Sequence, residues 1–217
     1  MNPTGARREI LRLLAGFRRF HRKFYDAETN AFTKLTQRGQ TPKTLIIACS
    51  DSRVDPAILS SANPGELFVV RNVANLVPPY ESSAGFHGVS AAIEFAVVNL
   101  QVKNIVILGH RQCGGIRSLF TPEAVRSGGF VAQWMTIAKQ AKDKVLQKFP
   151  QADLEQHCKE CEKESIRASI ENLLTFPFVR EAREFRGMQI LGLYFDLELG
   201  QLLELDSDWK EFTQIQL

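Results

Sequence analysis

The chain has 217 residues, 44% of them apolar and 24% charged, an ordinary balance for one globular domain with its own core. The formal net charge is only +3, and no apolar run approaches the roughly 18 residues of a membrane-spanning helix. Four cysteines, two of them in C-x-x-C spacing, do not form the framework of a small secreted disulfide protein. The start of the chain lacks the apolar core and cleavage pattern of a signal peptide, so a cytoplasmic location is predicted. An organellar matrix is the alternative, because the first residues are rich in arginine and poor in acids.

The charge is unevenly placed. Arg7, Arg8, Arg12, Arg18, Arg19, Arg22 and Lys23 face a single acid, Glu9, so this stretch carries +6 and the remainder −3. From Arg7 to about Lys34 the spacing of Ile10, Leu13, Leu14, Phe17 and Phe20 or Phe24 predicts a helix with arginines on its other face. A basic face suits a membrane surface or nucleic acid, but no aromatic–basic repeat accompanies it. It reads as a solvated face or an arm laid on a partner subunit, and neither nucleic acid nor membrane is expected as a partner. The expected organisation is a helical arm over 1–36 and one α/β domain over 37–217.

Gly39-Gln40-Thr41-Pro42 is a turn that delivers a first strand, Thr44–Ala48. Leu67–Val70 is a second short apolar run, and Gly88–Leu100 has helical spacing. Ile105–Leu108 is a third strand. Phe130–Lys148 and Asp153 to about Leu174 read as helices, followed by a short one over Phe178–Phe185. Gln189–Leu193 and Gln201–Leu205 complete the strands. Alternating strands and helices predict an α/β fold, a central mainly parallel sheet flanked by helices. Ligands of such sheets sit beyond the carboxyl ends of the strands.

Two such ends carry chemistry. After the first strand come Cys49, Asp51 and Arg53, separated only by serines; after the third come His110 and Cys113 in H-x-x-C spacing, then Gly114 and Gly115. Polar groups beside a core strand are costly unless they pair or bind a metal. Cys49, His110 and Cys113 would supply three N/S ligands, the number that leaves tetrahedral zinc one open position. The two glycines are expected to let the backbone turn beneath the metal and begin a helix. Asp51 and Arg53 alone would pass for a structural ion pair. His157-Cys158-Lys159-Glu160-Cys161 lies in a predicted helix and reads as structural rather than as a second metal site. His21 and His87 have no partner pattern, although His87 falls near a possible site mouth, where it could shuttle protons.

C-x-D-x-R after one strand and G-H-x-x-C-G-G after another resemble the β-class carbonic anhydrases, in their plant-type branch. Pro64-Gly65-Glu66, Val70–Asn75, Pro78-Pro79-Tyr80, Cys158–Glu164 and Asn172–Glu181 are similar to the same branch, over roughly residues 35 to 205. The resemblance implies Zn²⁺ on Cys49, His110 and Cys113, and reversible hydration of carbon dioxide to bicarbonate and a proton by a zinc-bound hydroxide. It implies that Asp51 orients that nucleophile while Arg53 holds Asp51, and that in some members the aspartate instead closes on the metal. It implies a substrate pocket of Gln40, Phe68, Val73, Phe95 and Gly114, and a homodimer as the minimal unit, with a tetramer or octamer as larger options. Related hydrolases of CS₂ or COS share the motifs. The segment Ile93-Glu94-Phe95 has phenylalanine where plant-type enzymes have tyrosine, and Arg111 replaces a small hydroxyl residue after the histidine. Ile46 and Phe195 stand where the bicarbonate-inhibited bacterial branch has tryptophan and tyrosine, which argues against that regulatory site. A non-catalytic zinc or nucleic-acid module is the competing reading; the Asp51–Arg53 pair speaks against it, because a structural zinc needs four closed protein ligands and no orienting pair.

Overall fold

A computed structural model describes residues 3–25, 31–82 and 85–216. The chain divides into two compact units, Met1–Thr41 and Pro42–Leu217. In the first, α1 (Pro3–Phe24) is followed by α2 (Ala31–Arg38). Residues 26–30 of the helix expected over Arg7–Lys34 lie outside the described residues. Within this unit Phe20, Phe24 and Tyr25 gather around Phe32, with ring centroids 5.0–5.7 Å apart for the Phe20–Phe24, Phe20–Phe32, Phe24–Phe32 and Tyr25–Phe32 pairs. Ile10, Leu13, Leu14 and Phe17 remain exposed on α1.

The second unit is built on β1 (Thr44–Cys49), α3 (Pro56–Ser60), β2 (Leu67–Asn72), α4 (Gly88–Glu94), β3 (Asn104–His110) and α5 (Gly114–Phe120). Then come α6 (Phe130–Met135), α7 (Lys139–Lys148), α8 (Leu154–Leu173), α9 (Pro177–Arg186), β4 (Gln189–Asp196), β5 (Gln201–Leu205) and β6 (Phe212–Gln214). The strands form one sheet in the order β2-β1-β3-β4-β5-β6. The first four of that order run parallel, and β5 and β6 are antiparallel additions. The mainly parallel sheet expected from the alternation of elements is present.

Strand residues alternate between faces. Leu45, Ile47, Ile105 and Ile107 join Ile93 of α4, Ile166 and Ile170 of α8 and Val179 of α9 in the larger core. Ile46, Ala48, Val106 and Leu108 form a smaller cluster with Leu191, Leu193 and Leu202. Helix α8 lies close on the sheet because Gly109 leaves room for it: a Cβ there would stand 2.7 Å from Ile166 Cδ1. Register places Thr44 beside both Leu67 and Asn104, so the carboxyl ends of β1, β2 and β3 lie at the same edge.

Two expected helices differ in detail. Gly88–Leu100 begins as α4 and widens into a π turn over Phe95–Asn99, where Leu100 N–H reaches back to Phe95 O at 2.9 Å. Phe130–Lys148 is broken between α6 and α7 by a tighter turn over Thr136–Ala138. There the Thr136 hydroxyl donates to Gln133 O at 2.7 Å, a local bond that competes with the helical ladder. Helix α3 escapes an apolar-period search because it is one turn long. Its signal was chemical: Asp55 Oδ1 accepts from the N–H groups of Ala57 and Ile58 at 3.0 and 3.3 Å, and Pro56 opens the helix.

Candidate metal centre

Cys49 is the last residue of β1 and His110 the last of β3, adjacent strands in the sheet. Cys113 follows three residues after His110 and immediately precedes α5. All three side chains are buried, and their ligand atoms lie within 4.8 Å of one another. Among the described residues this is the one grouping of three or more such side chains.

The donor set fits zinc. The sulfurs of Cys49 and Cys113 are 3.9 Å apart. Two thiolates on a tetrahedral zinc, each about 2.3 Å from the metal, stand about 3.8 Å apart. His110 Nδ1 lies 2.8 Å from the carbonyl oxygen of Arg111, which fixes Nδ1 as the N–H donor. Nε2 is then a bare lone pair, and it is buried without a hydrogen-bond partner. A buried acceptor left empty in this way is the form a ligating histidine takes.

The thiols share their charge unequally. Hydrogen bonding, chiefly from the Cys113 thiol and also from the Asp51 backbone, outweighs burial and brings Cys49 down to about 4. The Cys49 thiolate beside it, together with burial, pushes Cys113 up, although the N–H groups of Ile116 and Gly115 at the start of α5 favour its ionised form. A cation is what would allow both to ionise. A Cβ on Gly115 would meet Val73 Cγ1 at 2.7 Å, so that glycine is required for close approach. Gly114 has open space around its Cα, and the left-handed residue of the loop is Gln112, at φ 60°. The sharp backbone turn expected of the glycines is made by Gln112.

Asp51 and Arg53 form a two-pronged pair. Arg53 Nε donates to Oδ1 at 2.9 Å and Nη2 to Oδ2 at 2.8 Å, while the Arg53 N–H also reaches Oδ1 at 2.9 Å. The guanidinium holds the carboxyl of Asp51 well below the usual carboxylate range, so it is ionised throughout the neutral range. Arg53 also ties the two loops together, donating to Gln112 Oε1 at 3.3 Å and to Gln112 O at 3.2 Å.

Two residues whose positions carry no chemical signal in the sequence complete the frame. Arg71, near the end of β2, donates to Cys49 O at 3.0 Å, Asp51 O at 2.6 Å and Asp55 Oδ2 at 3.0 Å, clamping the whole first loop. Glu162 of α8 accepts the N–H of Cys113 at 3.0 Å and the hydroxyl of Tyr194 at 2.8 Å. Burial raises the Glu162 carboxyl despite those bonds.

Of the expected pocket residues, Phe68 and Phe95 pack with ring centroids 5.9 Å apart. Val73 begins the short turn after β2, and its carbonyl oxygen accepts the Trp134 indole N–H at 2.7 Å. Gly114 is the first residue of α5. Gln40 is exposed at the end of the first unit. His87 lines a cavity of about 620 Å³ together with Asn72, Val73, Phe130 and Trp134. The Arg111 side chain is 11% exposed, with Nε 3.7 Å from Glu198 Oε2.

The chain is similar to known proteins. The family model described as carbonic anhydrase matches residues 44–202. Beta carbonic anhydrase 3 of Arabidopsis thaliana is 38% identical over 202 residues, spanning 91% of this chain and 78% of that protein. Among solved structures, the β-carbonic anhydrase CcaA superposes with a TM-score of 0.87 at 30% identity, covering 96% of this chain and 93% of its own. One of two β-carbonic anhydrases of Sordaria macrospora, described as tetrameric, gives 0.75 at 30% identity, covering 94% and 98%.

Proposed function

Because the chain belongs to the β-carbonic anhydrases, zinc lyases that interconvert carbon dioxide and bicarbonate with release of a proton, we propose how its own residues divide that work. Cys49, His110 and Cys113 hold the zinc. When bound, the metal supplies Lewis-acid activation of a water molecule, weaker than under three neutral imidazoles because two thiolates offset its charge.

Asp51 is the orienting group. An ionised carboxylate can only accept hydrogen bonds, so it takes the O–H of the attacking water and turns the oxygen lone pair towards carbon. Arg53 holds both carboxylate oxygens and keeps Asp51 from swinging into the metal site, so the arrangement is the open one. Phe68, Val73 and Phe95 wall an apolar space suited to CO₂, beside Gly114. Gln40 donates its amide N–H to a bicarbonate oxygen, a role supported by the family resemblance rather than by an observed contact. The first 36 residues act as an arm, 37–217 as the enzyme domain, and the working unit is a homodimer. The exposed apolar residues of α1 support that reading, as does the tetrameric description of the Sordaria proteins. Among the described residues no helix is long and apolar enough to cross a membrane. Four unpaired cysteines suit a reducing compartment, the cytoplasm in this reading.

The observation that carries the site assignment is the convergence of two sulfurs on a histidine nitrogen with no other partner. The test is CO₂ hydration by wild type and Asp51→Asn at about pH 7 and about pH 8.5, with zinc content measured in parallel. Wild type should be faster at the higher pH. Asp51→Asn should retain zinc while losing about 100-fold in kcat/KM. Zinc-loaded wild type without hydration at either pH would sink the assignment, and full activity in Asp51→Asn would remove Asp51 from it.

A further inference from the structure

Glu162 has no part in that division, yet it is 2% exposed and one of two acidic residues among the buried side chains of the described chain. Taking a carboxylate out of water costs several kcal/mol unless polar partners replace its hydration. Its two oxygens have separate partners. The backbone N–H of Cys113 reaches Oε1, and the Tyr194 hydroxyl reaches Oε2. Tyr194 is itself buried in β4, beside Gly109 of β3. The first partner is the amide of a metal-ligand residue.

The same peptide is held at its other end. Gln112 O accepts from Arg53 Nη2. In a trans peptide the C=O and N–H point in opposite directions, so Arg53 grips the 112–113 plane from one side and Glu162 from the other. Gln112 enters that plane in a left-handed conformation, at φ 60°, which non-glycine residues rarely adopt. The orientation therefore needs outside support. Packing alone does not supply it, because a cavity of about 280 Å³, lined in part by Gln112, Cys113, Cys158 and Glu162, borders the plane. An apolar side chain of similar length could fill the place of Glu162 in α8, but it would leave the Cys113 N–H and the Tyr194 hydroxyl unpaired.

We propose that Glu162 is a positioning residue of the metal centre: its carboxylate locks the Gln112–Cys113 peptide plane and thereby fixes both the Cys113 sulfur and the guanidinium that holds Asp51. The hydrogen bonds run without a break from Tyr194 through Glu162, the peptide and Arg53 to Asp51. This role rests on Cys113 being a zinc ligand. With the carboxylate gone, the plane is free to flip by joint rotation about ψ of Gln112 and φ of Cys113, and Arg53 loses an acceptor.

The test compares wild type, Glu162→Leu, Glu162→Asp and Glu162→Gln by zinc affinity against a chromogenic chelator and by the thiolate-to-metal absorption bands of the cobalt-loaded protein, with folding checked by circular dichroism. Glu162→Leu is expected to weaken zinc binding by about 10- to 100-fold and to shift the cobalt bands. Glu162→Gln keeps an oxygen for the Cys113 N–H and an amide to donate to the Tyr194 oxygen, so it should restore both readouts. If Glu162→Leu does not fold, Glu162→Asp carries the test: its charge is intact but its reach is one methylene short, and a loss of about 10-fold is expected. A folded Leu or Asp variant with wild-type affinity and spectrum overturns the proposal. Wild type that takes up no cobalt overturns the ligand assignment itself and this role with it, which separates the two failures.

Discussion

Two pairs of buried cysteines sit in this protein, and their fates are opposite. Cys158 and Cys161 are three residues apart on α8, the spacing that invites a metal or redox reading. Cys49 and Cys113 are 64 residues apart, one ending β1 and the other just before α5. Yet the distant pair faces a histidine nitrogen with nothing else to bind, whereas the close pair has no third ligand in any grouping among the described residues. Burial is common to both. What differs is the surroundings: Cys49 receives hydrogen bonds that draw it down to about 4, while burial, reinforced by its neighbour Cys158, pushes Cys161 up to about 12. Convergence of donors makes a metal site; spacing along one helix does not.

The comparison breaks most sharply by exchange of sulfur for oxygen in each pair. Cys113→Ser should lose stoichiometric zinc and bring CO₂ hydration down to the uncatalysed level, whereas Cys158→Ser should retain both; metal analysis of the purified proteins decides it. Zinc loss from Cys158→Ser would show that the helical pair belongs to the centre after all.

A smaller effect should separate packing from ligation. Cys161 is fully buried among apolar neighbours, and Cys161→Ser would leave a hydroxyl there with no designed partner, costing about 1–3 kcal/mol. The expected result is a lower urea midpoint at unchanged zinc content.

The smallest effect is on pH. The Cys161 thiol is raised above its unfolded value of about 8.5, so the folded state keeps a proton that the unfolded state loses. Its contribution is fully present below about pH 8.5 and fades as pH rises towards about 12. Wild type should therefore lose stability more steeply than Cys161→Ala between about pH 9 and pH 11 in urea melts. Equal slopes would mean that this thiol titrates normally in the folded protein.

What could be read in the sequence was local. The apolar runs around Leu45–Ala48 and Ile105–Leu108 require strands because consecutive residues there cannot all be solvated, and strands separated by helices give a parallel sheet. Asp51 and Arg53 could be paired by eye because they are two residues apart and their contact needs no other element. The ligand types Cys49, His110 and Cys113 were identifiable from their places at strand ends. Only the tertiary structure decided how these pieces engage. Register of β1 against β3 brings Cys49 to His110; the Arg111 carbonyl selects the tautomer that frees Nε2; Arg71 and Glu162, charged residues without a motif of their own, hold the two loops. Their hydrogen bonds cross 16 to 49 residues of chain, and no pattern of period 2 or 3.6 records a partner at that distance. The left-handed Gln112 belongs to the same class: nothing in its side chain asks for that conformation, and it persists because Arg53, Glu162 and Glu198 hold the loop on three sides.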